Sequence, residues 1–235
     1  MLFKKMSMRE ALHARRFGSV DKWSHYIDVY DHHFRSFQDR KITLLEIGVQ
    51  GGGSLAMYQK YFHNVNLIGI DIDEKCSHFR KHGIAVHIGD QADPEFIKNV
   101  AAIEGPFDII IDDGGHMMHQ ITTSFQYLFP HLNNGGLYVI EDLHAAYWPE
   151  FDGQPANVRG EPPTAIAYLK DLVDGLNCWA MSNERAGPFQ LTSCDSYPFS
   201  AHIGSVHFYD SLCIVCRQEI REFPKSPERL ILSNK

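Results

Sequence analysis

The chain has 235 residues and a formal net charge of -7, from 22 basic and 29 acidic residues. It is 44% hydrophobic and 22% charged, an ordinary globular composition that excludes disorder, collagen-like repeats and coiled coil as overall descriptions. The acidic balance argues against a protein whose main work is to grip phosphate backbones, so we expect no nucleic-acid partner. No apolar run reaches the roughly 18 to 20 residues of a membrane span.

The start of the chain and its cysteines favour a cytoplasmic protein. Basic residues near the start have no long apolar stretch behind them, so we expect no secretory signal. Five cysteines, an odd number scattered from Cys76 to Cys216, indicate reduced thiols. We find no internal repeat or domain-scale linker. We therefore expect one domain over 1–235, made of a helical N-terminal segment over 1–40, a core over 41–217 and a tail over 218–235.

The N-terminal segment is predicted to be helical because its large apolar residues recur at helical spacing. That stripe consists of Trp23, Tyr26, Ile27, Tyr30 and Phe34. The period changes at 42–49, where a nearly continuous apolar run ends in glycines, as is typical of a strand buried on both faces.

Similar strand-like runs recur along the chain, at 67–70, 85–88, 107–111 and 137–140. Segments that favour helix lie between or beside them, at 54–62, 74–82, 94–102 and 119–129. Strands that alternate with helices at this spacing predict a parallel α/β sheet with right-handed crossovers.

The alternation of strand-like and helix-like segments becomes irregular after Asp142. Residues 148–163 hold too many prolines and glycines for a regular element, so we expect a long loop over the carboxyl edge of the sheet. A helix is predicted over 164–176. Two apolar runs at 205–208 and 212–216 flank a short turn and predict a closing hairpin.

Three consecutive predicted strands end in groups that suit an adenosine. The first leads into a glycine loop from Gly48 to Gly53 that opens a helix, where the backbone can approach a ligand. The second ends in Asp71, placed to accept both hydroxyls of a ribose, and the third in Asp90 and Gln91, placed for an adenine. The predicted cofactor-binding residues are Glu46, Gly48, Gly52, Ser54, Asp71, Asp90, Gln91 and Asp112.

The glycine loop does not match a dinucleotide fingerprint. Gln50 interrupts the G-x-G-x-x-G spacing, and Glu46 lies two residues before the first glycine, where its carboxylate would oppose a pyrophosphate. A carboxylate there suits a ligand with a cationic part, such as the amino group of S-adenosylmethionine. We therefore expect that methyl donor; an NAD-dependent oxidoreductase is a distant alternative.

An acidic cluster follows the fourth and fifth predicted strands. Because carboxyl ends of adjacent parallel strands lie side by side, Asp112, Asp113, Glu141 and Asp142 are expected to converge. Neither segment contains an arginine or lysine, so the repulsion calls for compensation such as a divalent cation. Oxygen ligands without a nearby cysteine indicate Mg²⁺, with Mn²⁺ or Ca²⁺ possible.

His116 follows the first acidic pair and is the candidate general base. A histidine titrates near neutrality and can remove the proton of a hydroxyl whose pKa a metal has lowered. The aromatic residues Tyr147 and Trp148, just past the second acidic pair, and His207 in the predicted hairpin are candidates for substrate contacts.

These segments resemble the metal-dependent sugar O-methyltransferases of macrolide biosynthesis, of the mycinamicin and macrocin type, and their cephalosporin hydroxylase-like relatives. The matching segments are DK at 21–22 with the aromatic stripe, LEIG at 45–48, GDQADP at 89–94, IDDGGH at 111–116, GLYVIED at 136–142, YW at 147–148 and SVHFYDS at 205–211. Two departures are the large helical N-terminal domain of some macrolide-specific members, which this chain lacks, and Gly115, where serine is common.

The resemblance implies a Rossmann-like class I methyltransferase, with a mostly parallel seven-stranded sheet, an antiparallel C-terminal hairpin strand and helices on both faces. It implies S-adenosylmethionine, Mg²⁺ and a sugar hydroxyl acceptor. By position, Asp113, Glu141 and Asp142 would be the metal ligands and His116 the base.

The function expected from the sequence is O-methylation of a sugar hydroxyl, in a glycosylated natural product or a surface polysaccharide, by an enzyme expected to be a homo-oligomer. The alternatives are a catechol-type O-methyltransferase and a nucleotide-binding scaffold subunit without catalysis.

Overall fold

One mixed sheet organises the part of the chain that the computed structural model describes, which is residues 5–156, 158–160, 162–181, 184–190, 197 and 199–219. Its strands are β1 Lys41–Ile47, β2 Asn64–Asp71, β3 Ala85–Ile88, β4 Phe107–Asp112, β5 Leu132–Ile140, β6 Ile203–Tyr209 and β7 Leu212–Arg217. The spatial order is β3-β2-β1-β4-β5-β7-β6. Strands β1 to β5 pair in parallel, whereas β7 runs antiparallel to β5 and to β6. The predicted sheet and its closing hairpin are confirmed.

The α-helices of the described residues are α1 Met8–Ala14, α2 Ser24–Phe34, α3 Gly53–Tyr61, α4 Pro94–Glu104, α5 Met118–Leu128, α6 Ala165–Leu176 and α7 Cys178–Met181. Shorter 3-10 segments lie at Arg35–Phe37, Glu74–His82, Phe129–His131, Leu143–Tyr147, Pro149–Phe151, Glu184–Phe189 and Ser200–His202. None of these helices is long and apolar enough to cross a membrane.

Helix starts follow local chemistry. Asp93 accepts a hydrogen bond from the backbone of Glu95 at the start of α4, and Pro94 occupies the first turn, where no amide hydrogen is needed. Thr164 caps α6 in the same way through Ala167.

Apolar side chains from alternate positions of the strands fill two cores, one on each face of the sheet. In β1, Leu44 packs with α1, α2 and α3, whereas Leu45 packs with α4, α5 and α6. Helices therefore cover both faces, as predicted, and the carboxyl ends of β1 to β5 meet at one edge between them.

Several details differ from the sequence expectation. Trp23 precedes α2 and is 55% exposed, whereas the rest of the predicted stripe is buried on that helix. The segment Glu74–His82 is 3-10 rather than α-helical, and Pro149–Phe151 forms a short 3-10 turn within the predicted long loop. Strand β5 begins at Leu132, before the apolar run that predicted it. Its first half is partly exposed and therefore lacks the continuous apolar pattern.

The cysteines also depart from the expectation of reduced thiols. Cys76, Cys213 and Cys216 are free, but Cys178 is disulfide-bonded. An odd cysteine count does not exclude a bond between two members of the set. Of the predicted tail, residues 220–235 lie outside the described part of the chain.

Candidate active site

A cavity of about 670 Å³ opens at the carboxyl edge of the sheet. It is walled by the ends of β1 to β5 and by the segment that precedes α2. Of the predicted site residues, those that line it are Gly48, Asp71, Asp90, Gln91, Asp113, His116, Glu141 and Asp142. The cavity thus brings the predicted adenosine-binding edge and the predicted acidic cluster into one space.

The glycine loop is shaped by close backbone packing. Gly48 has φ +89°, and a Cβ there would lie 1.9 Å from the carbonyl oxygen of Asp113. Only glycine therefore lets the end of β1 press against the end of β4. Two residues later, the backbone amide of Gln50 donates to Asp71 Oδ2 at 2.9 Å, which fixes the carboxylate at the end of β2.

Glu46 and Ser54 lie beneath the loop rather than in the cavity wall. Ser54 Oγ donates to Glu46 Oε2 at 2.6 Å, and the glutamate is fully buried. Its Oε1 has no hydrogen-bond partner among the described residues and lies 3.6 Å from Lys22 Nζ. Burial raises the pKa of Glu46 to about 7, although the Lys22 ammonium opposes the shift. Gly52, at φ +69°, precedes the first turn of α3 and packs against Phe79.

Asp112 is buried and hydrogen-bonded to Gln91. Gln91 Nε2 donates to Asp112 Oδ1 at 3.0 Å, while Gln91 Oε1 accepts from the backbone amide of Gly115 at 2.8 Å. Burial raises the pKa of Asp112 to about 7, against the hydrogen bond from Gln91. These contacts tie the end of β3 to the Gly114-Gly115 turn, and Asp112 does not line the cavity.

Lys22 enters the acidic cluster from the segment before α2. Its side chain is 1% exposed, and its Nζ lies 2.6 Å from Asp113 Oδ2 and 2.5 Å from Glu141 Oε1. Burial disfavours the ammonium, but Glu141 and Asp113 outweigh that cost and raise the pKa of Lys22 well above its usual value. The positive charge that neither acidic segment contains therefore comes from a distant part of the sequence.

Two tyrosines of α2 complete the donors around the acids. Tyr30 donates to Glu141 Oε1 in a short hydrogen bond. The Tyr26 hydroxyl lies 2.9 Å from Asp142 Oδ1 and accepts from the backbone amide of Asp142 at 3.2 Å. Burial raises the pKa of Glu141 to about 8, whereas Lys22 and Tyr30 act in the opposite direction.

His116 faces two of the acids. Its Nε2 lies 3.9 Å from Asp113 Oδ1 and 3.7 Å from Asp142 Oδ2. One ligand atom from each of these three residues falls within 4.8 Å of the others, which is a grouping that could hold a metal ion. His116 and Asp142 have φ values of +57° and +54°. Left-handed backbone is uncommon outside glycine and is concentrated at functional sites, so both side chains are held at some conformational cost.

Aromatic rings border the acidic end of the cavity. Trp23 and His144 line it with their rings 6.0 Å apart; Trp148 does not line it, but its ring lies 4.6 Å from that of His144. We call Trp23, His144 and Trp148 the aromatic shelf. Tyr147 is 41% exposed and does not line the cavity.

The third predicted substrate residue, His207, lies elsewhere. It is on β6, where it hydrogen-bonds Ser205 and contacts the ring of His33 5.1 Å away. It does not line the cavity.

Residues 45–143 match a family model described as a methyltransferase domain. A sugar methyltransferase of Streptomyces olivaceus, 8-demethyl-8-alpha-L-rhamnosyl tetracenomycin-C 2'-O-methyltransferase, is 40% identical over 86% of this chain and 53% of its own length. Demethylmacrocin O-methyltransferase of Streptomyces fradiae is 45% identical over 63% of this chain and 38% of its own.

A solved structure of MycE, a methyltransferase from the mycinamycin biosynthetic pathway, has the same architecture. It was determined in complex with Mg, SAH and mycinamycin VI, and it matches with a TM-score of 0.79 at 34% identity. The match covers 93% of this chain and 55% of MycE. The chain thus spans about half the length, or less, of the relatives it matches.

The order of the sheet, the glycine loop and the methyltransferase-domain match together define a class I methyltransferase fold. The residues at 45–48, 111–116 and 136–142 that frame the cavity lie within or at the ends of the matched region. Within that class, the chain is similar to O-methyltransferases of the tetracenomycin, macrocin and mycinamycin pathways.

Proposed function

We propose that the chain is an S-adenosylmethionine-dependent, Mg²⁺-dependent O-methyltransferase that acts on a sugar hydroxyl of a glycosylated natural product or surface polysaccharide. The single observation that carries the proposal is the meeting, in one cavity, of an adenosine-suited edge with His116 and the acids at 113, 141 and 142. One relative is named for a rhamnosyl tetracenomycin substrate and another for demethylmacrocin, which supports a natural-product glycoside as the substrate class.

The residues at the β1 and β2 ends fit the donor. Asp71, held by the Gln50 amide, offers carboxylate oxygens to ribose hydroxyls, and Ile72, 72% exposed in the cavity wall, offers an apolar surface to the adenine. A volume of about 670 Å³ is within the range of small-molecule sites. When bound, S-adenosylmethionine supplies an electrophilic methyl group on a sulfonium.

The acids fit a hard divalent cation. Asp113 Oδ1 and Asp142 Oδ2 both face His116, and oxygen donors of this kind suit Mg²⁺. We assign Asp113, Glu141 and Asp142 as the residues that would hold the ion. When bound, Mg²⁺ would orient the acceptor hydroxyl and lower its pKa.

His116 is the group that takes the proton. Its Nε2 is within 4 Å of Asp113 Oδ1 and Asp142 Oδ2, so the imidazole lies at the edge of the proposed metal site, within reach of an acceptor hydroxyl held there. His116 has a positive φ and lines the cavity. Proton removal at Nε2 and the orientation of the acceptor are then the chain's own contributions to the rate.

The aromatic shelf suits the acceptor. The rings of Trp23, in the cavity wall, and of Trp148, against His144, are about half-exposed, and such surfaces bind the apolar faces of sugar rings or an aglycone. An acceptor lying on the shelf would place a hydroxyl near His116.

The test is a methylation assay with a panel of unmethylated glycosides and catechols, run with Mg²⁺ and with EDTA. We expect turnover on glycosides that EDTA abolishes, and a loss of roughly 10² to 10⁴ in kcat for His116→Ala, because general-base catalysis contributes that much. Binding of SAH by calorimetry should be little changed in that variant.

Turnover that persists in EDTA, or a fully active His116→Ala variant, would contradict the proposed mechanism. Activity on catechols alone would move the acceptor class to phenols. Donor binding without turnover on any acceptor would favour a scaffold role.

A further inference from the structure

Lys22 is placed unusually for a lysine. Its ammonium is buried among three carboxylates, at 2.5 Å from Glu141, 2.6 Å from Asp113 and 3.6 Å from Glu46. A buried charge of this kind is costly unless it is paired. Here the pairing joins the acid beneath the glycine loop with two of the three acids assigned to the metal.

The three acids assigned to the metal share one arrangement. One oxygen of each is held by a protein donor: Asp113 Oδ2 and Glu141 Oε1 by Lys22, and Asp142 Oδ1 by Tyr26. The second oxygens of Asp113 and Asp142 remain turned toward His116. The oxygens assigned to the metal are therefore already oriented by groups of the chain itself.

We propose that Lys22 is a positioning residue: it is the built-in counter-cation of the acidic cluster, holding Asp113 and Glu141 in place without a metal and lowering the affinity of the site for divalent cations. This rests on the proposed function, because it takes these acids to be the metal ligands. The reason is electrostatic, since a second cation that enters beside a buried ammonium meets its repulsion in a medium of low dielectric constant.

The presence of Lys22 has a consequence for metal exchange. With Lys22 in place, loss of the metal leaves a cluster that is still partly neutralised and still hydrogen-bonded. The protein should therefore stay folded when chelated, and metal binding should be readily reversible. Without the lysine, the negative charge of the same acids would have to be compensated by the metal.

The test compares the wild-type chain with Lys22→Met in two experiments. Thermal unfolding is measured once with EDTA and once with saturating MgCl₂, and Mg²⁺ binding is measured by calorimetric titration. The titration is repeated at several pH values, because a proton on a buried carboxyl can take the place of the lysine and a change in affinity caused by protonation would vary with pH. We expect the variant to unfold at a lower temperature in EDTA and to gain more from Mg²⁺ than the wild type. Its Mg²⁺ affinity should be tighter by about tenfold or more.

Two further variants separate charge from bulk. Lys22→Arg keeps the positive charge and should respond to Mg²⁺ much as the wild type does. Lys98→Met removes a lysine whose side chain is 48% exposed and contacts surface Glu95 and the Tyr127 ring, away from the acidic cluster, and should leave the response unchanged. If Lys22→Met folds only with Mg²⁺, that supports the proposal; if it is insoluble in both conditions, Lys22→Gln replaces it under the same criterion.

The outcomes distinguish this inference from the proposed function. A wild type that binds Mg²⁺, with a Lys22→Met variant that binds it no tighter, overturns the role of Lys22 and leaves the function standing. A variant that binds Mg²⁺ when the wild type does not supports the role of Lys22 and removes metal dependence from the function. Binding by neither overturns both.

Discussion

Neighbouring carboxylates of this chain take different roles because strand geometry sends them to different surroundings. Asp112 ends β4 with its side chain buried against Gln91, and its pKa is raised by burial. Asp113, the next residue, turns into the cavity and contacts Lys22 and His116. Successive side chains on a strand point to opposite sides, so one acid braces the turn while the other is available to ligands.

Trp23 gives a residue-scale prediction about the acceptor. Because its ring stands 55% exposed at the cavity wall and is free to stack on an acceptor ring, Trp23→Ala should raise KM for the glycoside roughly three- to tenfold. The value of kcat and the affinity for SAH should change little. Steady-state kinetics and calorimetry measure these quantities.

The matched control is Ile103→Ala, which removes an apolar side chain that is 70% exposed on α4 and outside the cavity wall. Its KM should equal that of the wild type. A Trp23→Ala variant with unchanged KM would show that the acceptor does not lie on the aromatic shelf.

How far the site could be predicted depends on where each residue sits in the sequence. Asp113, Glu141 and Asp142 were predictable as neighbours because parallel strands bring their carboxyl ends together. Lys22 and His144 were not predicted to line the site. Lys22 reaches acids 91 and 119 positions away, and no local periodicity encodes such a contact. The only signal was the DK segment at 21–22 within the family resemblance.

At the scale of elements, the loop between β1 and α3 sets the shape of the donor side. Gly48 combines φ +89° with a position where a Cβ would meet the Asp113 carbonyl at 1.9 Å. Gly48→Ala should therefore lower the free energy of unfolding by about 3 kcal/mol or more, as left-handed strain and a backbone clash act together. Urea unfolding measures the loss, and SAH binding should weaken with it.

Gly83 is a matched control for this substitution. It has φ +78°, but a Cβ there would meet nothing within 4 Å. Gly83→Ala should then cost only the left-handed strain, about 1 to 2 kcal/mol, and leave SAH binding intact. Equal losses for the two variants would contradict the idea that Gly48 is required by the close approach of β1 and β4.

Whether a segment forms a helix or a strand was predictable wherever its apolar residues followed a single spacing. The strands that lead to the site are continuous apolar runs, and α2 carries a clear helical stripe. The segment Glu74–His82 has much weaker apolar content, with Cys76 and Phe79 as its buried residues, and packing settles it as 3-10 helix. The first half of β5 was missed because its exposed Asn134 and Gly135 read as a turn.

At the scale of the whole molecule, α2 connects the site to the C-terminal hairpin. Tyr26 and Tyr30, near its start and middle, contact the acids at the end of β5. One turn further on, His33 Nε2 lies 2.7 Å from the Tyr209 hydroxyl of β6. A change in the packing of α2 on the hairpin is therefore expected to be felt at the site, because one helix contacts both.

His33 makes that packing dependent on pH. Partial burial, followed by the facing His207 and the neighbouring His32, lowers the pKa of His33 to about 4. Between its ordinary value near 6.5 and about 4, the unfolded chain takes up a proton that the folded chain does not. The contribution of His33 to the free energy of unfolding is thus present above pH 6.5 and is lost as the pH falls toward 4. The loss is about 1 kcal/mol after solvent screening.

In His33→Gln, urea unfolding across this range should show a smaller loss of the free energy of unfolding, and the loss in His207→Gln should fall between that of His33→Gln and that of the wild type. An unchanged pH dependence in His33→Gln would mean that the contact of α2 with the hairpin does not sense protonation.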